Sequence, residues 1–294
     1  MQDVETGFGV TSMVAPLRRV AMRAPGRALL EADPQVWHYG ATFSPERIAS
    51  EYEAFADLVA EGGAEILWID AADDGLADSV FTHDPSLMSA RGAILLKPGK
   101  RLRQGEEDVH RRFYETTGVP VIGRIDDPGR VEGGDCLWLD DRTLAIGRGF
   151  RTNQAGIDQM QTLLGEQGVT VKAFDLPVYQ GREACLHLMS VVSLVDRDLA
   201  LVYLPLLPVA FLEALEAHGY RLIEGDVEEF QESGGLTLNV LALAPGQCVM
   251  IDGWPKTKNA LEAAGCSVKT FAGEALCIGC EGGPTCLTRP VWRA

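Results

Sequence analysis

Ala93-Ile-Leu-Leu-Lys-Pro-Gly99, a helical stretch over residues 105–117, Gly118, and then Val119-Pro-Val-Ile122 form the passage on which the fold turns. The aliphatic run has the length of a short buried strand, and Pro-Gly closes it. The helical stretch ends on a glycine, the residue that most easily takes the left-handed stop conformation, and a second apolar run follows at once. The unit therefore reads strand, helix, strand.

The same plan recurs along the chain. Before it stand Arg19-Val-Ala-Met-Arg23, a helix over residues 45–60, Gly62-Gly63 and Ile66-Leu-Trp-Ile69. After it come Thr143-Leu-Ala-Ile-Gly147 with a helix over 154–166, Gly168 and Val169-Thr-Val171, and then Leu199-Ala-Leu-Val-Tyr203 with a helix opened by Pro208, Gly219 and Tyr220-Arg-Leu-Ile223. The fifth copy is Cys248-Val-Met-Ile251, a helix over 255–264, Gly265 and Val268-Lys-Thr-Phe271. From the second copy onward the starts are spaced by roughly fifty residues. A unit this small cannot bury its apolar face alone, so five of them are expected to pack around one axis in a closed or nearly closed arrangement, one domain over residues 1–294. An ordinary open α/β sheet is the alternative, since all such units look alike.

Composition bounds the partners. The 294 residues are 46% hydrophobic and carry a formal charge of −16, which repels nucleic acid and permits a cationic small molecule. No apolar run reaches the roughly 18 to 20 residues of a spanning helix, and residues 1–11 lack the sections of a signal peptide. The expectation is a cytoplasmic protein without a membrane partner; a homodimer stays open. Seven cysteines, an odd number, argue for free thiols rather than a disulfide framework. Cys277-Ile-Gly-Cys280 shows half of a zinc site with no second pair, so no metal is expected. No Gly-rich phosphate loop is present, and no cofactor is expected.

Reactive residues collect after the second strand of each copy, in connections that a radial repeat would bring to one mouth. These are Asp78-Ser-Val-Phe-Thr-His83-Asp84-Pro85, Val131-Glu132-Gly-Gly-Asp135, Cys185-Leu-His187-Leu-Met-Ser190 and Glu281-Gly-Gly-Pro-Thr-Cys286; the fourth connection offers only Glu228, Glu229 and Asn239. A thiol, an imidazole and several carboxylates suit covalent catalysis on a cationic carbon. Cys286 follows a small-residue turn and is the candidate nucleophile, His187 the proton carrier, and Glu132 the carboxylate that orients it. Asp78 and Asp84 match a planar guanidinium, whose parallel N–H donors pair with carboxylates, while Arg151 and Lys97 suit an α-carboxylate. Each also has an ordinary reading: buried thiol, turn residue, surface charge.

Seven collinear stretches, Asp78 to Pro85, Leu96-Lys-Pro-Gly99, Val131 to Asp135, Arg151-Thr-Asn153, His187-Leu-Met-Ser190, Trp254-Pro-Lys-Thr257 and Gly282-Gly-Pro-Thr-Cys286, resemble the guanidine-modifying superfamily of the pentein fold, a five-bladed α/β propeller, most closely the dimethylarginine dimethylaminohydrolases; the resemblance implies that fold and a single catalytic domain over residues 1–294. The resemblance implies Cys286 as nucleophile, His187 as general acid and base, and Glu132 as its partner. It further implies that Asp84 grips the guanidinium, that Asp78 is a second acidic contact, and that Arg151 holds the substrate carboxylate, with Lys97 in place of a second arginine. His83 stands where those hydrolases carry glutamate and the deiminases a basic residue, and it joins the candidate substrate contacts. Met189 stands where deiminases and amidinotransferases place a further aspartate. The implied reaction converts dimethylarginine to citrulline and dimethylamine through a thiouronium intermediate. The alternatives are deimination, double hydrolysis or amidino transfer on arginine or another guanidino compound, and, more remotely, a non-catalytic binding protein. Residues 32–44, a long connection with Trp37 and Tyr39, are a candidate lid over the mouth.

Overall fold

The computed structural model describes residues 7–70, 75–182 and 186–294. Fifteen strands build five three-stranded sheets. In chain order they are β1 (Leu17–Met22), β2 (Glu65–Trp68), β3 (Ser86–Ser89), β4 (Gly92–Leu95), β5 (Val121–Arg124), β6 (Cys136–Asp140), β7 (Thr143–Arg148), β8 (Thr170–Asp175), β9 (Val192–Asp196), β10 (Leu199–Val202), β11 (Arg221–Glu224), β12 (Leu241–Ala244), β13 (Gln247–Ile251), β14 (Ser267–Phe271) and β15 (Arg289–Arg293). In every sheet the middle strand runs antiparallel to one neighbour and parallel to the other. A parallel pair needs a crossover, and here each crossover is a helix. Short helices α1 (Arg27–Leu30) and α2 (Pro34–Trp37) precede the first of these, α3 (Pro45–Glu61). The others are α4 (Glu106–Thr117), α5 (Gln154–Gly165), α6 (Val209–Ala217) and α8 (Pro255–Ala263), with the short α7 (Val227–Glu232) in the fourth connection.

The five strand, helix, strand units read from the sequence are these crossovers, and the chain folds as the five-bladed α/β propeller. Each unit proves to own a third strand that the repeat did not reveal. β3, β6, β9, β12 and β15 are almost wholly buried, whereas β2, β5 and β11 are exposed at both ends. A strand of four or five residues buried on both faces shows no alternation to read. The first blade is completed by the last strand, since β15 pairs with β1 and so closes the ring.

Helix faces explain the packing. In α3 the buried Ile48, Tyr52, Phe55 and Val59 recur at three- and four-residue spacing, one stripe of a helix, and Phe55 meets Phe271 of β14 at 4.9 Å between ring centroids. Asn153 caps α5 by accepting a hydrogen bond from Gly156 N at 2.9 Å, and α4 stops at Gly118 with φ 73°, the left-handed conformation expected there.

Just ahead of each inner strand the chain makes one tight turn: Ala77–Val80, Gly133–Asp135, Leu188–Ser190, Leu236–Leu238, and residues 284–287. These five turns carry or border the reactive residues. Phe55→Ala should leave the secondary structure unchanged and cost roughly 3–5 kcal/mol in denaturant unfolding, the usual range for emptying a buried aromatic site; a loss under about 1 kcal/mol would show that the α3 stripe does not hold the first blade.

Candidate active site

Glu132 ends the extended approach to its turn and is completely buried. Its Oε1 accepts hydrogen bonds from the backbone N–H of Gly99 (2.8 Å) and Lys100 (3.0 Å), and its Oε2 accepts one from His187 Nε2 at 2.6 Å. Arg151 adds its charge at 3.4 Å from both oxygens. Burial alone would raise this carboxyl's pKa, but the bond to and charge of His187, with Arg151, outweigh it and hold the group down at about 2. Glu132 is therefore an anion at neutral pH.

His187 is placed by its own turn and by its neighbour. Its backbone N–H donates to Ser190 Oγ at 3.0 Å, and Leu188 N donates to Asp135 Oδ1 at 2.9 Å, so the second connection grips the third. The ring lies flat against Gly134: a Cβ there would stand 2.3 Å from His187 Nδ1, so no other residue fits. Asp135 is braced by Thr152 Oγ1, which donates at 2.6 Å, and burial raises its pKa to about 6.

Cys286 lines a cavity of about 400 Å³ together with His187, Asp84, Asp78, Arg151 and Asn239. Asn239 Nδ2 donates to its sulfur at 3.1 Å, and Asn239 Oδ1 accepts from Thr285 N at 2.8 Å, which fixes the amide's orientation. Burial, reinforced by the Asp84 charge, pushes the thiol up to about 11 against the opposing pull of Gly283 N–H, His187 and Asn239. The unliganded protein thus holds Cys286 as a thiol.

The carboxylates facing the thiol are already engaged. Asp84 Oδ1 accepts from Gly134 N at 2.8 Å, while Oδ2 forms an ion pair with Arg103, which keeps the carboxyl far below its ordinary range despite complete burial. Arg103 also bonds Glu106 through Nη2 at 2.7 Å, so one guanidinium serves two buried carboxyls; burial lifts Glu106 to about 7. Asp78 accepts from Tyr39 Oη (2.8 Å) and Lys100 Nζ (2.6 Å). Lys100 also donates to Trp37 O at 3.3 Å and stands 5.3 Å from the Trp37 ring centre. From the candidate lid segment Trp37 thereby lines the cavity, and the segment is pinned further by Gly40 N donating to Gly279 O at 2.7 Å.

The structure brings Cys286, His187, Asp84, Asp78 and Arg151 to one cavity, with Glu132 directly behind His187. It does not bring Lys97 or His83 there. Lys97 points to the rim and pairs with Asp127 at 2.6 Å. His83 is buried beneath the turn, its Nδ1 donating to Thr288 O at 2.9 Å, and burial together with the Arg289 charge lowers its pKa to about 3, so it carries no charge. The lysine that reaches the cavity is Lys100, three residues on, and the second arginine is Arg103. Both lie in Lys100-Arg-Leu-Arg103, where four polar or apolar residues in a row give no sign of which turn inward. Asn239 carried no chemical signal either, because its role depends on the sulfur beside it. Cys185 lies outside the described residues.

Asp84, Glu132 and His187 present oxygen and nitrogen atoms all within 4.8 Å of one another, the geometry a metal ion would need. A cation there would have to displace the proton that His187 shares with Glu132.

A family model described as arginine deiminase matches residues 73–209 and 203–293. The chain belongs to the arginine deiminase family. Its similarity to an N(G),N(G)-dimethylarginine dimethylaminohydrolase of Streptomyces coelicolor is 30% identity over 198 residues, 67% of this chain and 72% of that one. An arginine deiminase of Mycobacterium marinum is 29% identical over 257 residues, 74% of this chain and 61% of that one. Among solved structures, the citrulline complex of DDAH from Pseudomonas aeruginosa superposes with a TM-score of 0.76 at 23% identity, covering 93% of this chain and 99% of that one. The resemblance to the guanidine-modifying penteins is thus shown, fold included, and its relatives include both dimethylarginine hydrolases and arginine deiminases.

Because the free thiol titrates near pH 11, the rate of Cys286 alkylation by iodoacetamide should climb about tenfold per pH unit through the neutral range. Asp84→Asn should shift the curve to lower pH by removing a facing anion, and Asn239→Ala should shift it higher. A plateau reached below about pH 8.5, the value of an ordinary thiol, would contradict this geometry.

Proposed function

We propose that this protein is a guanidine hydrolase, the whole chain acting as one catalytic domain, in which Cys286 attacks the guanidinium carbon of an arginine derivative. The observation that carries the reading is the thiol in a cavity with two carboxylates opposite it and an imidazole backed by a buried anion. Asp84 retains acceptor capacity beyond its bonds to Gly134 and Arg103, since a carboxylate offers about four lone-pair sites. A guanidinium seated on it supplies the positive charge that the free site lacks next to sulfur, and that charge lowers the thiol's pKa when substrate is bound.

The steps follow from the groups present. Cys286 gives its proton to His187 as the cation binds, and the sulfur forms a bond to the guanidinium carbon. His187, oriented by its bond to Glu132, gives that proton to the departing nitrogen as the carbon–nitrogen bond breaks. A cysteine thiouronium remains. Water then attacks the same carbon while His187 takes its proton, and the carbon–sulfur bond breaks to release a urea-type product and the thiol. One ring nitrogen is committed to Glu132, so the proton traffic falls to Nδ1. Arg151 and Lys100 hold the α-carboxylate end, a substitution of Lys100 for Lys97 that the cavity lining supports.

Among guanidino substrates we favour dimethylarginine, yielding citrulline and dimethylamine. Met189 is buried away from the cavity and Ser190 lines it instead, so the third connection offers no second aspartate for the unsubstituted nitrogens of arginine. Deimination of arginine is the second reading, favoured by the family model and by the deiminase relatives.

Incubation with dimethylarginine, monomethylarginine and arginine separately, with quantitation of citrulline, ornithine and released amine, tests this. Dimethylamine with citrulline, lost in Cys286→Ala and reduced roughly 10²- to 10⁴-fold in Glu132→Gln, is the expected result. Ammonia from arginine alone would move the protein to the deiminase reading, ornithine to double hydrolysis, and turnover surviving Cys286→Ala would remove the mechanism.

A further inference from the structure

Beside the first cavity lies a second of about 410 Å³ that shares Lys100 and Arg151 with it. Its wall is largely basic: Lys100, Arg101, Arg130, Arg151 and Arg182 line it beside His38, Gly99, Leu102 and Phe150, and among the described residues no aspartate or glutamate does. The chain has 26 lysines and arginines against 42 acids, so five permanent cations on one cavity wall run against its composition, although Lys100 and Arg151 also answer Asp78 and Glu132 of the first cavity. Elsewhere on the surface arginines sit on carboxylates, as Arg19 on Glu65, Arg148 on Asp175 and Arg221 on Asp198. Among the described residues Arg101, Arg130 and Arg182 form no such pair; the nearby Asp127 is paired with Lys97, and the Arg130 charge acts on it only from farther off.

The fold assembles this wall from four segments. Glu132 draws in residues 99–100 by their N–H groups, Val131 N donates to Lys97 O at 3.0 Å, and Asn153 N donates to Arg130 O at 3.1 Å. Gly99 lets the first segment lie directly on the third: a Cβ there would stand 2.8 Å from Arg151 O. Arg182 joins from a fourth segment, its guanidinium 4.5 Å from the centre of the Phe150 ring. Like charges gathered this way repel one another, and an anion between them relieves that cost.

We propose that this second cavity is an oxyanion subsite opening off the active-site cavity and that it takes a phosphoryl group. Guanidinium forks match phosphate oxygens in bidentate fashion, and a dianion answers several arginines better than a single carboxylate does. The phosphoryl group comes either as free phosphate or pyrophosphate acting on the neighbouring site, or as the tail of a guanidino substrate that passes Arg151 and Lys100.

Calorimetric titration of the full chain carrying Cys286→Ala with inorganic pyrophosphate tests the subsite without any turnover, so its outcome stands whether or not the proposed hydrolysis does. Pyrophosphate should bind, more weakly as salt is raised, and the exposed triple change Arg101→Ala, Arg130→Ala, Arg182→Ala should weaken it at least about tenfold while the far-UV spectrum stays the same. Equal binding by both proteins, or none by either, overturns the proposal. With 4-guanidinobutyl phosphate as competitor, displacement of pyrophosphate at much lower concentration than inorganic phosphate requires assigns the subsite to a substrate tail; displacement no better than by phosphate assigns it to the free anion.

Discussion

A carboxylate with no access to water sets most of this site. Removing Glu132 from solvent costs several kcal/mol, and only strong donors can offset that. The donors it finds are the backbone of residues 99–100, the imidazole of His187 and the guanidinium of Arg151. Satisfying one buried charge thus draws together three connections that are far apart in sequence. It orients the histidine, closes the Lys97–Arg101 loop over the second blade, and aims Arg151 toward the cavity. None of these placements depends on substrate, so the site stands assembled before anything binds.

The opposite wall works by a balance rather than by a single strong bond. Asp84 and Glu106 share Arg103, and the three groups are almost completely buried. Two carboxyls cannot both be fully stabilised by one cation, and the outcome is unequal: Asp84, with Gly134 N–H as a further donor, stays ionised, while Glu106 titrates near neutrality. The anion nearest the sulfur is therefore the one that persists. It raises the thiol's pKa in the free protein and becomes the seat of a cation in the proposed complex, so reactivity is withheld until charge of the right sign arrives.

Much of this was legible in the sequence because repeats are legible. Five apolar, helical, apolar units fixed the number of blades, and the connections after them held Asp84, Glu132, His187 and Cys286, which the turns ahead of β3, β6, β9 and β15 do deliver to one place. The inner strands themselves were not legible, since four or five buried residues have no period to detect. Lys97 and His83 show the limit for side chains. Both follow the motif in order, but whether a side chain turns toward the cavity depends on backbone direction within a few residues: Lys97 turns to Asp127, and Lys100 turns inward. Arg103 and Asn239 act only through a neighbour from another blade, and such a relation has no counterpart along one chain.

This difference between inner and outer parts bears on which substrate fits. The reacting groups are borne on turns locked by buried inner strands, and a change there disturbs packing on both faces. The outer wall of the cavity is built otherwise, from Trp37, Lys100, Tyr179 and Gln180, which lie outside the strands. Tyr39 illustrates how such a wall is tuned: its phenol donates to Asp78, and burial with that carboxylate's charge pushes its pKa far up, so it remains a donor at every ordinary pH. Asp78 is engaged on one oxygen by Tyr39 and on the other by Lys100, which itself lines the cavity, so a guanidinium reaching it must compete with a lysine held at 2.6 Å. In the proposed complex the guanidinium is seated on Asp84 alongside the Arg103 ion pair, with its carbon on the His187 and Cys286 side of the cavity and the chain of the substrate toward Arg151.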